Sequence, residues 1–219
     1  MSEDIFETKR TQLVQQLISM GVIQSTEVEK AFLVVKRELF FPENLKQFAY
    51  IDEAFPIGFN QTISQPSTIA IMLELLNARK DQIVLEIGSG CGYVLALLSH
   101  IVGENGKVFG TEILESLAEQ SKTNLVLQKC KNVEVIVIDG AKFAEGKSFD
   151  RILLSCACPF IPKPCFQALK EKAIAVAPVG DYYTQQLLQL TKFEGKAIKK
   201  FYDKGLFQFV PLRGEFGFK

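Results

Sequence analysis

The sequence carries no surplus of charge. Its 25 basic and 25 acidic residues cancel over 219 positions, so no global positive field exists to hold nucleic acid and no acidic excess marks a solvating tail. Histidine occurs once, as His100, and the five cysteines (Cys91, Cys130, Cys156, Cys158, Cys165) are odd in number and include no C-x-x-C pair. That excludes a zinc site of the usual composition and a closed disulfide framework, and it favours reduced thiols. Cys156 and Cys158 flank Ala157, so a strand would point both to one face, where they read as buried filler. Long apolar runs are missing as well. The longest stretches, residues 152–161 and 94–102, reach about half of the roughly twenty residues a membrane helix needs. The start, Met1-Ser2-Glu3-Asp4-Ile5-Phe6-Glu7, is acidic where a secretory leader is basic and then apolar. A cytoplasmic protein with no membrane and no nucleic-acid partner is the expectation. Internal repeats, low-complexity tracts and Ser/Gly linkers are also lacking.

What is present is a hydrophobic content of 47%, ample for the core of one large domain or of a domain with a small appendage. Leu13, Leu17 and Met20 share helical spacing, as do Val28, Phe32 and Val35, which predicts two amphipathic helices near the start. Pro42 and residues 49–56 read as an extended connection. From Ile83 the pattern changes. Short apolar runs at 83–87, 107–111, 133–138, 151–155 and 174–177 have the unbroken hydrophobicity of strands covered on both faces, and helical patterns at 92–102 and 114–128 separate them. Such alternation predicts an α/β fold with a doubly wound, mostly parallel, Rossmann-like sheet. Residues 185–191, 197–201 and 207–212, with a turn at Lys204-Gly205, predict an antiparallel C-terminal edge. The implied division is a helical segment with a loop over 1–80, packed on a core over 81–219.

The segment Val84-Leu85-Glu86-Ile87-Gly88-Ser89-Gly90-Cys91-Gly92 runs from a strand through three alternating glycines into a helix. Glycine there allows a tight turn and lets a ligand lie against bare peptide N–H groups at a helix N-terminus. A tight turn alone would also account for it. Two details separate the cofactor classes: Glu86 stands just before the first glycine, and the third glycine comes one residue earlier than in the dinucleotide fingerprint. Both suit S-adenosylmethionine, whose methionine end carries an ammonium that a carboxylate complements. Glu112, with Ile113 beside it, ends the second predicted strand about twenty residues on, where an acid can accept hydrogen bonds from ribose hydroxyls; a helix cap is the alternative. Asp139-Gly140 ends the third, as an Asx turn or as a contact beside the adenine ring. Together the three tips would line one crevice at the carboxyl edge of the sheet.

Gly58-Phe59-Asn60-Gln61-Thr62-Ile63-Ser64-Gln65-Pro66, preceded by Ala49-Tyr50-Ile51-Asp52, resembles the signature region of the protein-L-isoaspartate O-methyltransferases. The resemblance extends through Leu73-Glu74-Leu75-Leu76, the glycine loop, Asp139-Gly140, Phe149-Asp150-Arg151-Ile152, Pro178-Val179-Gly180 and Phe209-Val210-Pro211-Leu212. It implies methyl transfer from S-adenosylmethionine to the free α-carboxylate of L-isoaspartyl residues in damaged proteins and peptides. It also implies Ser64 as the active-site serine. For the cofactor it implies Gln61, Thr62, Glu86, Gly88, Ser89, Gly90, Glu112, Ile113, Asp139 and Gly140.

The chemistry is consistent with that implication. Pro66 suits the first turn of a helix, which places Ser64 just before a helix N-terminus that attracts anions; a helix-capping serine is the alternative. A carboxylate acceptor is ionised near neutral pH and needs no general base, and alignment alone can supply as much as about 7 to 11 kcal/mol. One hydroxyl bond suits that task better than a buried arginine, which would blunt the nucleophile. Two stretches depart from the family pattern. Lys170-Glu171-Lys172-Ala173 replaces the usual Pro-Gly-Gly turn, and Ser155-Cys156-Ala157-Cys158-Pro159 replaces an alanine-rich run. The first bears on turn geometry, the second on the floor of the acceptor site. Rival readings are a methyltransferase with a small-molecule or RNA acceptor, for which residues 192–204 offer a local lysine patch, and a non-catalytic binding scaffold.

Overall fold

The computed structural model describes residues 3–218; Met1 and Ser2 of the acidic start lie outside them. The chain opens with α1 (Glu3–Ser19) and α2 (Thr26–Val34). Leu13 and Leu17 are buried, but Met20 is exposed. It falls one residue past the end of α1, where Gly21 at a φ of +70° turns the chain, so it leaves the helical stripe it was expected to join. Ser25 caps α2 by accepting the Val28 N–H at 3.4 Å. Its own hydroxyl and N–H both donate to Glu74 at 2.9 Å, which ties the start of α2 to the next long helix.

The connection expected to be extended contains more structure than that. Two 3-10 turns (Arg37–Phe40 and Glu43–Phe48) precede an antiparallel hairpin of β1 (Phe55–Gly58) and β2 (Gln61–Ile63), with Phe55 opposite Ile63. Next comes α3 (Pro66–Leu76), begun by its proline and ended at Asn77, which takes the left-handed conformation.

From here strand and helix alternate: β3 (Ile83–Ile87), α4 (Tyr93–Val102), β4 (Lys107–Glu112), α5 (Glu115–Leu127), β5 (Val133–Val137), α6 (Gly140–Ala144), β6 (Phe149–Leu154), α7 (Lys163–Gln167) and β7 (Leu169–Gly180). Then β8 (Gln185–Phe193) and β9 (Lys196–Phe201) follow directly. The sheet order is β5-β4-β3-β6-β7-β8-β9. The five strands from β5 to β7 run parallel, and β8 and β9 add antiparallel.

Successive residues of the central strands feed opposite cores, as strand geometry requires. Val84, Leu153 and Val176 pack on the side of α1 to α5, whereas Leu85, Ile152 and Ala175 pack on the side of α6 and α7. This explains their unbroken hydrophobicity. β5 is the edge strand and is only partly covered.

Residues 207–212 do not form the expected strand. Phe207 exchanges both backbone hydrogen bonds with Gln185 at the start of β8 (2.9 and 2.8 Å), then the chain crosses to Ala157, which donates to Val210 O (2.8 Å) and accepts from Leu212 N–H (2.7 Å). The segment bridges two parts of the sheet instead of lengthening one.

Lys170-Glu171-Lys172-Ala173 forms a bulge inside β7. Residues 169 and 174 pair with residues 149 and 151 of β6, so β7 carries the extra residues. Lys172 adopts a φ of +61°, the conformation that glycine takes without strain. Its neighbours compensate: Lys170 pairs with Asp150 at 2.9 Å, and the Glu171 carboxylate accepts the Glu194 and Gly195 N–H groups of the β8–β9 turn. Left-handed backbone costs a side-chain-bearing residue roughly 1–2 kcal/mol, partly offset by glycine's greater freedom when unfolded. Lys172→Gly is therefore expected to raise stability by about 0.5–1 kcal/mol in thermal melts; a lower melting temperature would show that the lysine side chain itself holds the bulge.

Candidate active site

The carboxyl ends of β3, β4 and β6 and the start of α6 surround one crevice, and the β1–β2 hairpin and residues 209–213 close over it. Three adjoining cavities make up this crevice. The first is lined by Glu112, Ile113, Asp139, Gly140 and Gln61 among others. The second is lined by Glu86, Ser89, Ser64 and the apolar Ile69 and Met72 of α3. The third, of about 270 Å³, is lined by Ser64, Gln65, Thr68 and residues 206–210. Thr62 and Ser155 line all three, and Gly88 and Gly90 line the first two. Every residue singled out in the sequence thus meets in one place.

The glycine loop differs from expectation in one respect. Its peptide N–H groups are not bare: those of Gly88 and Ser89 donate to Thr111 O at 2.9 and 3.1 Å, and that of Gly90 donates to Glu112 at 3.0 Å. A diphosphate would need those donors free, whereas a ligand with an ammonium needs acceptors. Gly88, at a φ of +79°, faces the Cys156 thiol, and a methyl group on Gly140 would lie 2.5 Å from Ile87 and Thr111. Both positions demand the smallest residue.

Glu86 is buried at the tip of β3, 1% exposed. The Ser155 hydroxyl donates to its Oε1 at 2.6 Å, while Oε2 is buried without a partner, as is the Ser89 hydroxyl. Burial, helped by the nearby Glu112, pushes the Glu86 carboxyl up to about 8, although the Ser155 hydrogen bond opposes this. Buried polar atoms are nearly always satisfied. A free acceptor and a free hydroxyl in one cavity therefore fit the ammonium and carboxylate of the methionine end of S-adenosylmethionine.

Glu112 both braces the chain ahead of α5 and borders the crevice, although the cap position itself is held by Leu114. Its Oε1 accepts the Ile113 and Leu114 N–H groups at 2.9 and 3.1 Å, ahead of α5, and it lines the first cavity. Asp139 caps α6 through the Ala141 N–H at 3.0 Å and lines the same cavity. The exposed side chain of Ile113, with Ile138 and Leu212, gives that cavity apolar walls, suited to a flat ring.

Ser64 lies two residues before α3, but it is not the cap. Gln65 holds the cap position, and the carboxylate of Asp52 accepts the Ser67 N–H at 2.8 Å. The anion at this helix N-terminus is the protein's own, which leaves the Ser64 side chain to the cavities. Arg37 sits behind it, fully buried. It donates to the Ser64 carbonyl at 2.8 Å and to the Ala49 carbonyl at 2.9 Å, with its guanidinium 4.7 Å from the Tyr93 ring centre and 5.3 Å from that of Phe41. A buried arginine thus does serve this site, gripping backbone.

Arg37 was not recognised as a site residue in the sequence, and Ser155 only as part of the run 155–159 bearing on the acceptor-site floor. Charged residues are seldom buried, so Arg37 carried no signal; Ser155, at the end of a predicted strand beside the glycine-loop strand, had a positional one. Burial disfavours thiolate at these cysteines, pushing Cys91 up to about 11 and Cys158 and Cys165 up to about 12.

The family model for protein-L-isoaspartate(D-aspartate) O-methyltransferase matches residues 8–216. The chain belongs to this family. It is 43% identical to protein-L-isoaspartate O-methyltransferase 2 of Archaeoglobus fulgidus, over 98% of this chain and 97% of that one. It is 40% identical to the Staphylothermus marinus protein-L-isoaspartate O-methyltransferase, over 98% of each. Among solved structures, a putative protein-L-isoaspartate O-methyltransferase of Plasmodium falciparum in complex with S-adenosyl-L-homocysteine superimposes with a TM-score of 0.81 at 25% identity, covering 92% of this chain and 97% of that one. As a protein-L-isoaspartate O-methyltransferase the chain is an S-adenosylmethionine-dependent enzyme on a class I, Rossmann-like methyltransferase fold. Among the described residues no helix is long and apolar enough to cross a membrane.

Glu112→Ala is expected to weaken S-adenosylhomocysteine binding by about 1.5–3 kcal/mol, the range for a hydrogen bond to a charged group, and to loosen the loop at Gly90. Calorimetry with the folded variant checks this; an unchanged dissociation constant would place Glu112 outside the site.

Proposed function

We propose that the chain methylates the free α-carboxylate of L-isoaspartyl residues in damaged proteins and peptides through the residues gathered in this crevice. In this reading Glu112, Ile113, Asp139 and Gly140 hold the adenosine part of the donor, and Gln61 and Thr62 cover it from the hairpin. Glu86, Gly88, Ser89 and Gly90 hold the methionine part. Ser64 and the third cavity receive the acceptor. The observation that carries the reading is the meeting of donor and acceptor cavities at Thr62 and Ser155, with Ser64 on the wall between them.

When bound, S-adenosylmethionine supplies a methyl carbon on a sulfonium, whose leaving group is a neutral thioether. The acceptor carboxylate is ionised at neutral pH and needs no base, so the chain's work is positional. Arg37 fixes the Ser64 backbone through its carbonyl, and the Ser64 hydroxyl is left to donate one directed bond to the acceptor. That single neutral donor orients the carboxylate without quenching its nucleophilicity. Leu206, Phe207 and Phe209 give the third cavity an apolar wall. The lysine-rich stretch that could favour an RNA acceptor lies around β9, three strands from β6 in the sheet order, and Lys192 there is tied to the carbonyls of Gln167 and Leu169.

The test is incubation with labelled S-adenosylmethionine and a matched pair of aspartyl and isoaspartyl peptides. Label on the isoaspartyl peptide alone, released by mild base as an ester is, is the expected result; label on neither, in protein that binds the donor, would remove the reading. In the same assay Ser64→Ala is expected to lower the single-turnover rate roughly tenfold to hundredfold, the equivalent of one positioning hydrogen bond. Its melting temperature should stay unchanged, because Asp52 and not Ser64 satisfies the start of α3. A wild-type rate would take Ser64 out of the mechanism.

A further inference from the structure

Ser155 stands where β6 ends, its N–H bonded to Ile87 O at 2.9 Å. Regular pairing between β3 and β6 stops at Ile87 and Leu154, so the Ser155 side chain has no part in the sheet. Its hydroxyl nevertheless makes a short bond, 2.6 Å, to a carboxylate buried on the neighbouring strand, and the residue borders all three cavities. The other oxygen of that carboxylate is buried without a partner, as is the hydroxyl of Ser89, and both residues line the second cavity.

We propose that Ser155 is a positioning residue for the methyl donor: from the wall shared by donor and acceptor cavities, its hydroxyl holds one oxygen of Glu86 so that the other is presented to the ammonium of the methionine end. The proposal rests on the reading of Glu86 as the receiver of that ammonium and adds what aims it. A carboxylate rotates freely about its terminal bond, and the free energy of the ammonium contact depends on an oxygen already pointing into the cavity. Ser155 supplies that orientation from a backbone position fixed by the sheet, and it does so at the boundary with the acceptor.

The surroundings of Glu86 give the bond a second effect. Facing the carboxylate are Glu112 from the end of β4, the Cys156 thiol from the residue after Ser155, and the Cys91 thiol from the glycine loop. Toward the same cavity α3 presents the apolar Ile69 and Met72, and α4 presents Tyr93 and Val94, with the Arg37 cation on the Tyr93 ring. Burial and Glu112 favour the protonated acid, whereas the Ser155 hydroxyl favours the anion. The ammonium needs the anion, so affinity for the donor rises with pH as the Glu86 proton becomes easier to remove. It falls again once the ligand's own α-amino group, which the adjacent carboxylate holds above the range of a chain terminus, loses its charge. Removing the Ser155 hydroxyl shifts the rising limb to higher pH.

Calorimetric titration of S-adenosylhomocysteine, which has the same methionine end, from about pH 6 to about pH 9 follows the rising limb while the ligand's α-amino group stays largely charged. Compared with wild type, Ser155→Ala is expected to bind about tenfold more weakly at neutral pH, the loss of one hydrogen bond to a charged group, with its rising limb displaced to higher pH. Ser155→Thr, which keeps the hydroxyl, restores both. Ser155→Cys, with a weak donor of similar size, gives the same comparison if the alanine variant does not fold. A pH profile of Ser155→Ala that superimposes on the wild-type profile, while Glu86→Gln binds weakly, overturns the proposal alone. If Glu86→Gln binds as tightly as wild type, the Glu86 reading falls and the proposal with it.

Discussion

At the tip of β3 a carboxylate is buried with only one of its two oxygens hydrogen-bonded. Taking an ionised carboxylate out of water costs several kcal/mol even after relaxation, and Glu86 has one hydroxyl to offset this and no cation bonded to it. In the ligand-free protein the group therefore retains its proton to a pH far above the ordinary carboxylate range. It is a site of stored cost, relieved when a positive charge arrives. Much of the surrounding structure can be understood as what keeps that carboxylate dry, aimed and reachable from one side.

The glycine loop curls over it with its N–H groups tied back to Thr111 and Glu112, which removes donors that would have attracted a phosphate. Glu112 thereby acts as both wall and strut, shaping the loop with one oxygen and the start of α5 with the other. On the far side, the β1–β2 hairpin and residues 209–213 bring the third cavity into contact with the first two. Arg37 anchors this arrangement to the first forty residues by gripping the carbonyls of Ala49 and Ser64. The N-terminal segment matters to the site because the turn after α2 carries Arg37 and its helices share one hydrophobic core with the sheet.

The parts of this design that were legible in the sequence are those governed by local pattern. β3 was bounded correctly, and β4 and β6 nearly so, because strands covered on both faces leave unbroken apolar runs. Glu86 stood out because the glycine loop follows it, and Glu112 and Asp139 because each closes an apolar run, at the ends of β4 and β5. Met20 was misplaced because helical spacing does not reveal where Gly21 turns the chain. The stretch 207–212 looked like a strand because its alternation is real, but its partners change from Gln185 to Ala157 partway along, and pairing is a tertiary property. Arg37 and Asp52 were silent for a similar reason. A single sequence does not show that an arginine will be buried against two rings, or that an aspartate will reach the start of a helix fifteen residues on. At the departure over residues 170–173 the chain forms a bulge in which Lys172 takes a left-handed backbone.

The central claim is that Glu86 sits protonated and waiting for an ammonium. Calorimetry of S-adenosylhomocysteine binding near neutral pH, repeated in buffers of different ionisation enthalpy, tests it most directly, because the apparent enthalpy then reports protons exchanged with the buffer. Formation of a carboxylate–ammonium pair from a protonated Glu86 must expel a proton, so the account predicts net proton release by the wild-type protein and none by Glu86→Gln. A binding enthalpy that is the same in every buffer would contradict it.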